Sequence, residues 1–171
     1  DDKSVYFGSN DGSVYSVDQE TGGQNWEFPT GNTVQSLVLR YEDTVIFTSD
    51  TGATFLLDPE GKEKNRLDNP VWSHHTFQVY RGIVYWAPLG RGFGAYDLAK
   101  QDFLWVLSVP SNYSVWYSFP ALEDDYLYFA SSEFKRSEVV FHYYAVNRMT
   151  GENVWQIDEE PKFGSKSPEN L

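Results

Sequence analysis

A short segment of this chain recurs along its length, and that recurrence constrains the fold more than any other feature. The first copy ends in Ser16-Val-Asp18-Gln-Glu-Thr21-Gly22-Gly-Gln-Asn-Trp26, and a clear echo near the C-terminus reads Ala145-Val-Asn147-Arg-Met-Thr150-Gly151-Glu-Asn-Val-Trp155. A third copy keeps Ala95-Tyr-Asp97 and then Trp105. In all three the Asp or Asn precedes the Trp by eight positions. A fixed interval of this kind marks a repeat architecture.

Hydrophobic runs give the size of the repeat. Val5-Tyr-Phe, Val45-Ile-Phe, Val84-Tyr-Trp and Leu127-Tyr-Phe open matched segments at offsets of 40, 39 and 43 residues. A period near 40 built of strands and turns suits a four-stranded propeller blade, whereas a helical solenoid would carry a 3.6-residue periodicity. Val5–Ser9 and Ser13–Asp18 flank Asn10-Asp11-Gly12, a hairpin signal that Thr51-Gly52 repeats. Asp18 to Gly22 forms a second turn, Asn25–Phe28 an outer strand, and Val34–Arg40 a strand leading into the next unit. The second unit is degenerate: Asp58-Pro-Glu-Gly61 keeps the Asp, and Arg66 stands where the Trp is expected. The fourth carries an insertion of 7 residues within Ser131–Val140. No window shows an amphipathic helix, so the fold class is all-β, with apolar runs on both sides of each turn as face-to-face blades require.

Composition sets outer bounds. A chain of 171 residues can bury a sizeable core, and its 18% aromatic content suits strands. No cysteine is present, so disulfide frameworks and thiolate metal sites are excluded. A net charge of −12 argues against nucleic acid, whose phosphates call for a basic footprint. No stretch of about 20 apolar residues could span a membrane. The opening Asp1-Asp2-Lys3 carries no signal peptide and fits a chain already trimmed.

The motif Ala-x-Asp-x-x-Thr-Gly-x-x-x-Trp resembles the blade signature of the pyrroloquinoline-quinone-like (quinoprotein-type) β-propellers. The resemblance covers nearly the whole chain and is specific for the fold, not for a cofactor. It implies that Trp26, Trp105 and Trp155 dock flat between adjacent blades, while Asp18, Thr21 and Gly22, Asp97, and Asn147, Thr150 and Gly151 fix the outer hairpins. The residue chemistry suits that role: an indole offers a large apolar area and one N–H, Asp accepts backbone N–H bonds, and Gly supplies φ > 0. All three tryptophans are therefore expected to be mostly buried at blade boundaries.

Rings of this family usually have seven or eight blades. This chain supplies about four, over residues 1–160, with the first lacking its inner strand. Such a piece reads as an excerpt of a larger ring or as a half-ring that pairs with a second copy as a homodimer. Residues 161–171 read as a tail or the start of a further blade, and Glu169-Asn170-Leu171 could begin a protease-cleavage linker added for expression. Any site would lie where inner strands converge on the axis. Ser36, His75 and Ser118 occupy equivalent positions there, with Gln35, His74, Tyr117, Trp72 and Trp116 beside them. His74 and His75 point to opposite faces of a regular strand, so they are expected to line the funnel rather than to chelate a metal.

Three functions fit. The first is a non-enzymatic scaffold that binds a protein partner through its loops, with no cofactor and no membrane span, as the resemblance to bacterial outer-membrane assembly propellers implies. The second is a fragment of a dehydrogenase that uses pyrroloquinoline quinone and calcium. The third is a ligand or stress sensor. The missing cysteine pair and the lack of an assignable carboxylate–amide calcium set favour the first, with no catalytic residue assigned. The resemblance also implies an extracytoplasmic setting, periplasmic or secreted.

Overall fold

The computed structural model describes residues 3–50, 52–68, 77–86, 92–108, 113–114, 120–135 and 138–159, and these contain only strands, turns and irregular segments. The chain divides into two compact units, Asp1–Thr76 and Phe77–Leu171.

The first unit holds two antiparallel sheets. One is built from β1 (Ser4–Gly8), β2 (Ser13–Asp18) and β3 (Gln24–Pro29) in that order, and the other from β4 (Leu39–Tyr41), β5 (Thr44–Thr48), β6 (Thr54–Leu57) and β7 (Glu63–Leu67). The second unit holds β8 (Phe77–Tyr80), β9 (Ile83–Trp86), β10 (Gly92–Asp97) and β11 (Asp102–Ser108) in one sheet. Its other sheet contains β12 (Tyr113–Ser114), β13 (Ala121–Glu123), β14 (Tyr126–Lys135), β15 (Glu138–Asn147) and β16 (Asn153–Asp158). Sequence neighbours pair in the first three sheets and from β13 to β16 in the fourth, where β12 also pairs with β14.

Gly12 and Gly52 close the β1–β2 and β5–β6 hairpins with φ of +97° and +86°. In the first of these only the glycine takes a positive φ. Asp11 instead accepts the Ser13 N–H at 2.9 Å and the Tyr15 hydroxyl at 2.8 Å, which makes this a three-residue loop with one left-handed position. A one-residue bulge follows Ser16, Leu56, Ala95 and Ala145, the same point of each sheet.

Two expectations need correction. The inner strand expected over Val34–Arg40 begins only at Leu39. Upstream of it the chain spends its backbone bonds on two hairpin turns: the Val34 N–H reaches the Ser9 carbonyl at 3.0 Å, and the Asp50 N–H reaches the Thr33 carbonyl at 2.9 Å. The segment therefore bridges two sheets instead of pairing along β5. In the second sheet the residue at the tryptophan register is Asn65, opposite Leu56, and not Arg66. The cause is a turn one residue shorter, with the Gly61 N–H bonded to the Asp58 carbonyl where Gly22 bonds Asp18 and Gly151 bonds Asn147. Arg66 pairs with Phe55 and lies over its ring, 5.0 Å from the centroid.

Each unit buries its core between its two sheets. In the first, Val14, Val34, Val45, Phe47, Ala53, Phe55 and Leu57 are closed over by Trp26 and Phe28. In the second, Ile83, Tyr85, Phe93, Ala95 and Trp105 meet Leu127, Phe129, Tyr144 and Val146. The insertion lies in the extended β14–β15 hairpin, where β12 pairs with Ser132 and Glu133. His142 is buried there, with Nδ1 2.8 Å from the Asp158 carboxylate and Nε2 3.5 Å from that of Glu133, so it lies between carboxylates of the two neighbouring strands.

Candidate functional site

The repeated spacing resolves into a joint between sheets, built from a turn and an indole. In the first turn the Asp18 carboxylate accepts the N–H groups of Glu20 (3.1 Å) and Thr21 (2.7 Å) and the Thr21 hydroxyl (2.8 Å). Those bonds, led by the Thr21 hydroxyl, hold the Asp18 carboxyl below its ordinary value. Asn147 does the same work uncharged, accepting from Met149 (2.9 Å) and Thr150 (3.1 Å). Asp97 accepts from Ala99 and Lys100, and the Lys100 N–H is the main cause of its lowered carboxyl pKa. Where the third turn lacks Thr-Gly, Gln101 still takes φ of +55°.

The indoles complete two of these joints. Trp26 Nε1 donates to the Pro59 carbonyl at 2.8 Å, and its ring lies on Gly61, where a Cβ would come within 2.7 Å of it. Trp105 Nε1 donates to the Arg148 carbonyl at 2.9 Å, and its ring lies on Gly151, where a Cβ would come within 2.6 Å. Both receiving glycines are left-handed, so the turn presents a bare backbone floor to a flat ring. Arg148 is itself buried, bonding the Asp124 carbonyl and the Tyr85 hydroxyl and covering the Tyr80 ring. Trp105 is 9% exposed and Trp26 is half-buried, but Trp155 is 42% exposed. The expected burial thus fails at Trp155, because among the described residues no turn glycine lies against its ring.

Of the residues expected to line a funnel, Gln35 and Ser36 are described; Trp72, His74, His75, Trp116, Tyr117 and Ser118 lie outside the described residues. Gln35 and Ser36 both line an open cleft of about 640 Å³ between Tyr6–Asn10 and Val34–Val38. Gln35 is exposed and donates to the Asn10 side chain at 3.3 Å. Ser36 is buried, and its hydroxyl accepts the Thr48 N–H at 2.9 Å while donating to the Leu37 carbonyl at 3.1 Å. Ser36 therefore secures the end of β5 from within the cleft wall. Gly8 narrows the cleft floor, since a Cβ there would strike Val34 at 2.5 Å.

The residues described do not fit calcium and pyrroloquinoline quinone. Such a group needs carboxylate and amide oxygens converging on the metal. The cleft offers Asn10, Gln35 and hydroxyl groups but no carboxylate, and among the described residues no three His, Asp or Glu side chains come together to hold a metal.

Sequence reasoning found the turn residues and the tryptophans through their spacing. It missed Gly61 as a docking floor, Arg148 as the carbonyl acceptor, and the His142 cluster. Spacing from the aspartate would have exposed the first two; the third depends on register across a long hairpin.

Comparison with known proteins agrees with this geometry. The family model described as outer membrane protein assembly factor BamB matches residues 10–167. No curated protein sequence matches the chain. Among solved structures, BamB from Moraxella catarrhalis is 19% identical with a TM-score of 0.64, covering 91% of this chain and 58% of that one. The quinohemoprotein alcohol dehydrogenase of Comamonas testosteroni is 16% identical with a TM-score of 0.69, over 94% of this chain and 34% of its own. A europium-containing methanol dehydrogenase is 14% identical with a TM-score of 0.70, over 93% and 40%. The chain thus spans little more than half of the first of these proteins and less of the others. At these identities the likeness shows the fold, a partial β-propeller of about four blades.

Proposed function

We propose a function from one premise: this chain belongs to the pyrroloquinoline-quinone-like repeat family described as outer membrane protein assembly factor BamB. On our reading it is a non-enzymatic propeller scaffold that binds a protein partner through its loops, in an extracytoplasmic compartment. The family match over residues 10–167 carries the reading. Two further observations support it. The repeat motif is consumed in holding blades together, and exposed Gln35 and Leu37 mark the cleft of the first unit as a surface with hydrogen-bonding and apolar groups side by side. Surfaces of that mixed kind suit protein partners.

The rival reading, a piece of a quinone- and calcium-dependent dehydrogenase, shares the fold but demands a carboxylate within hydrogen-bond reach of a substrate hydroxyl. Calorimetry with pyrroloquinoline quinone and calcium, followed by alcohol-dependent dye reduction, separates the two. Neither heat nor turnover is expected; micromolar binding with quinone-dependent dye reduction would overturn the scaffold. A photo-crosslinker at position 35, in cells that carry the gene, should capture proteins of outer-membrane assembly. Crosslinks confined to cytoplasmic proteins would count against both partner class and compartment.

A further inference from the structure

The 171 residues include no cysteine and one methionine, so the thioether of Met149 is the only sulfur atom in the chain. It lies in the turn between β15 and β16 and is 46% exposed. That exposure belongs to the turn position itself. Glu20 and Ala99, which also stand two residues after a turn aspartate, are exposed in the first and third sheets.

A buried cation holds this surface thioether. Arg148 Nη1 donates to Met149 Sδ at 3.2 Å, and Arg148 is 8% exposed. The same Nη1 lies 3.5 Å from the Tyr85 hydroxyl, while Nε donates to the Asp124 carbonyl at 2.6 Å. The Asp125 carboxylate is 3.9 Å away. Sulfur is the weakest acceptor in this set. A strong donor thus faces a weak acceptor where little water competes. The Arg148 carbonyl in turn receives the Trp105 indole, so whatever fixes Arg148 also fixes that contact.

We propose that Met149 is a site of reversible oxidation by hydrogen peroxide, and that Arg148 captures the sulfoxide oxygen, so that the modification tightens the turn. A thioether sulfur has two lone pairs. Arg148 engages one, and the other attacks a peroxide oxygen. The O–O bond breaks, and the proton on the transferred oxygen passes to the departing hydroxide, which leaves as water. Sulfur gives up two electrons and the peroxide takes them. The new oxygen is a far stronger acceptor than the thioether, and it sits one bond from the sulfur that Nη1 already touches. Sulfoxide formation disrupts a protein where it forces a polar oxygen into a core. Exposed Met149 meets no such penalty. Two thiols reverse the step by forming a disulfide and releasing water; this chain has no cysteine, so a sulfoxide reductase must supply them.

Peroxide treatment of the folded chain, followed by peptide mass analysis and thermal unfolding, tests the proposal. One added oxygen is expected on the peptide that carries Met149, with a melting temperature raised by about 2–4 °C, as one charge-assisted bond gives in a chain of this size. A methionine sulfoxide reductase with dithiothreitol should reverse both changes. Met149→Leu keeps the volume and removes the sulfur, so peroxide should alter neither its mass at that peptide nor its melting. Met149→Gln places an amide oxygen at the reach of the sulfoxide oxygen and should melt higher than the reduced wild type without any peroxide. Arg148→Leu should gain the oxygen but not the rise; if circular dichroism shows that it does not fold, Met149→Gln decides the role of the new oxygen by itself. Three results would overturn the proposal: a Met149 left intact by peroxide that oxidises free methionine, an oxidised chain that melts no higher than the reduced one, or the same rise in Met149→Leu.

Discussion

At the scale of single residues, three chemically identical indoles differ only in what covers them, which makes them their own controls. Trp105→Ala removes a buried ring and an Nε1–H bond to a backbone carbonyl, and should cost about 3–5 kcal/mol. Half-buried Trp26 should cost about 2–3 kcal/mol when truncated, and Trp155 at dilution less than about 1 kcal/mol. Urea unfolding of dilute protein reads the order; equal losses at all three would refute the joint as described. The glycines allow a sharper comparison. Gly22 and Gly151 share φ of +71°, so alanine at either meets the same left-handed penalty of about 1 kcal/mol, but only at Gly151 does the new methyl strike a ring. Gly151→Ala should therefore be the more destabilising by about 1–3 kcal/mol, the usual cost of overpacking. The tryptophans and turn residues were legible from the sequence because their interval is fixed by local bulge and turn geometry. The exposure of Trp155 was not, because it depends on a neighbour rather than on the motif.

At the scale of elements, the irregular segment before β4 shows how one hydroxyl sets a strand end. Ser36 accepts the buried N–H of Thr48, so Ser36→Ala leaves that donor without its partner and should cost about 1–3 kcal/mol. Hydrogen exchange at Thr48 should speed up accordingly. A Thr48 amide that exchanges as slowly in the variant as in the wild type would mean that another group secures the strand. Sequence reading placed a regular strand through this segment as the lead into the next unit, but bonds from Val34 to Ser9 and from Asp50 to Thr33 take its backbone to the neighbouring turns. The long β14–β15 hairpin was legible only as an insertion. Its register, which brings Glu133, His142 and Asp158 together, arises from pairing across the sheet.

At the scale of the whole molecule, carboxylates in the turns make stability depend on acid. The carboxyls of Asp11, Asp18, Asp43 and Asp97 are held below their ordinary value of 3.8, led respectively by the Tyr15 hydroxyl, the Thr21 hydroxyl, Lys64 and the Lys100 N–H. A depressed folded-state pKa contributes stability that is present above about pH 4 and is lost as pH falls through the folded value. Denaturation midpoints should thus hold steady from about pH 7 to 5 and decline below about pH 4. Asp18→Asn, which copies what Asn147 already does, should keep the turn and flatten part of that decline; an unchanged acid profile would show that Asp18 contributes nothing to it. The sequence by itself determined the all-β class, the blade period, the place of the Asp18 and Asn147 turns and the family, because all four rest on short-range spacing. Only the tertiary structure decided which indole is covered, that Asn65 and not Arg66 holds the tryptophan register, and that Ser36 serves the backbone. Those outcomes depend on what lies across a sheet or on the facing blade, and a single strand's sequence does not encode its neighbour's surface.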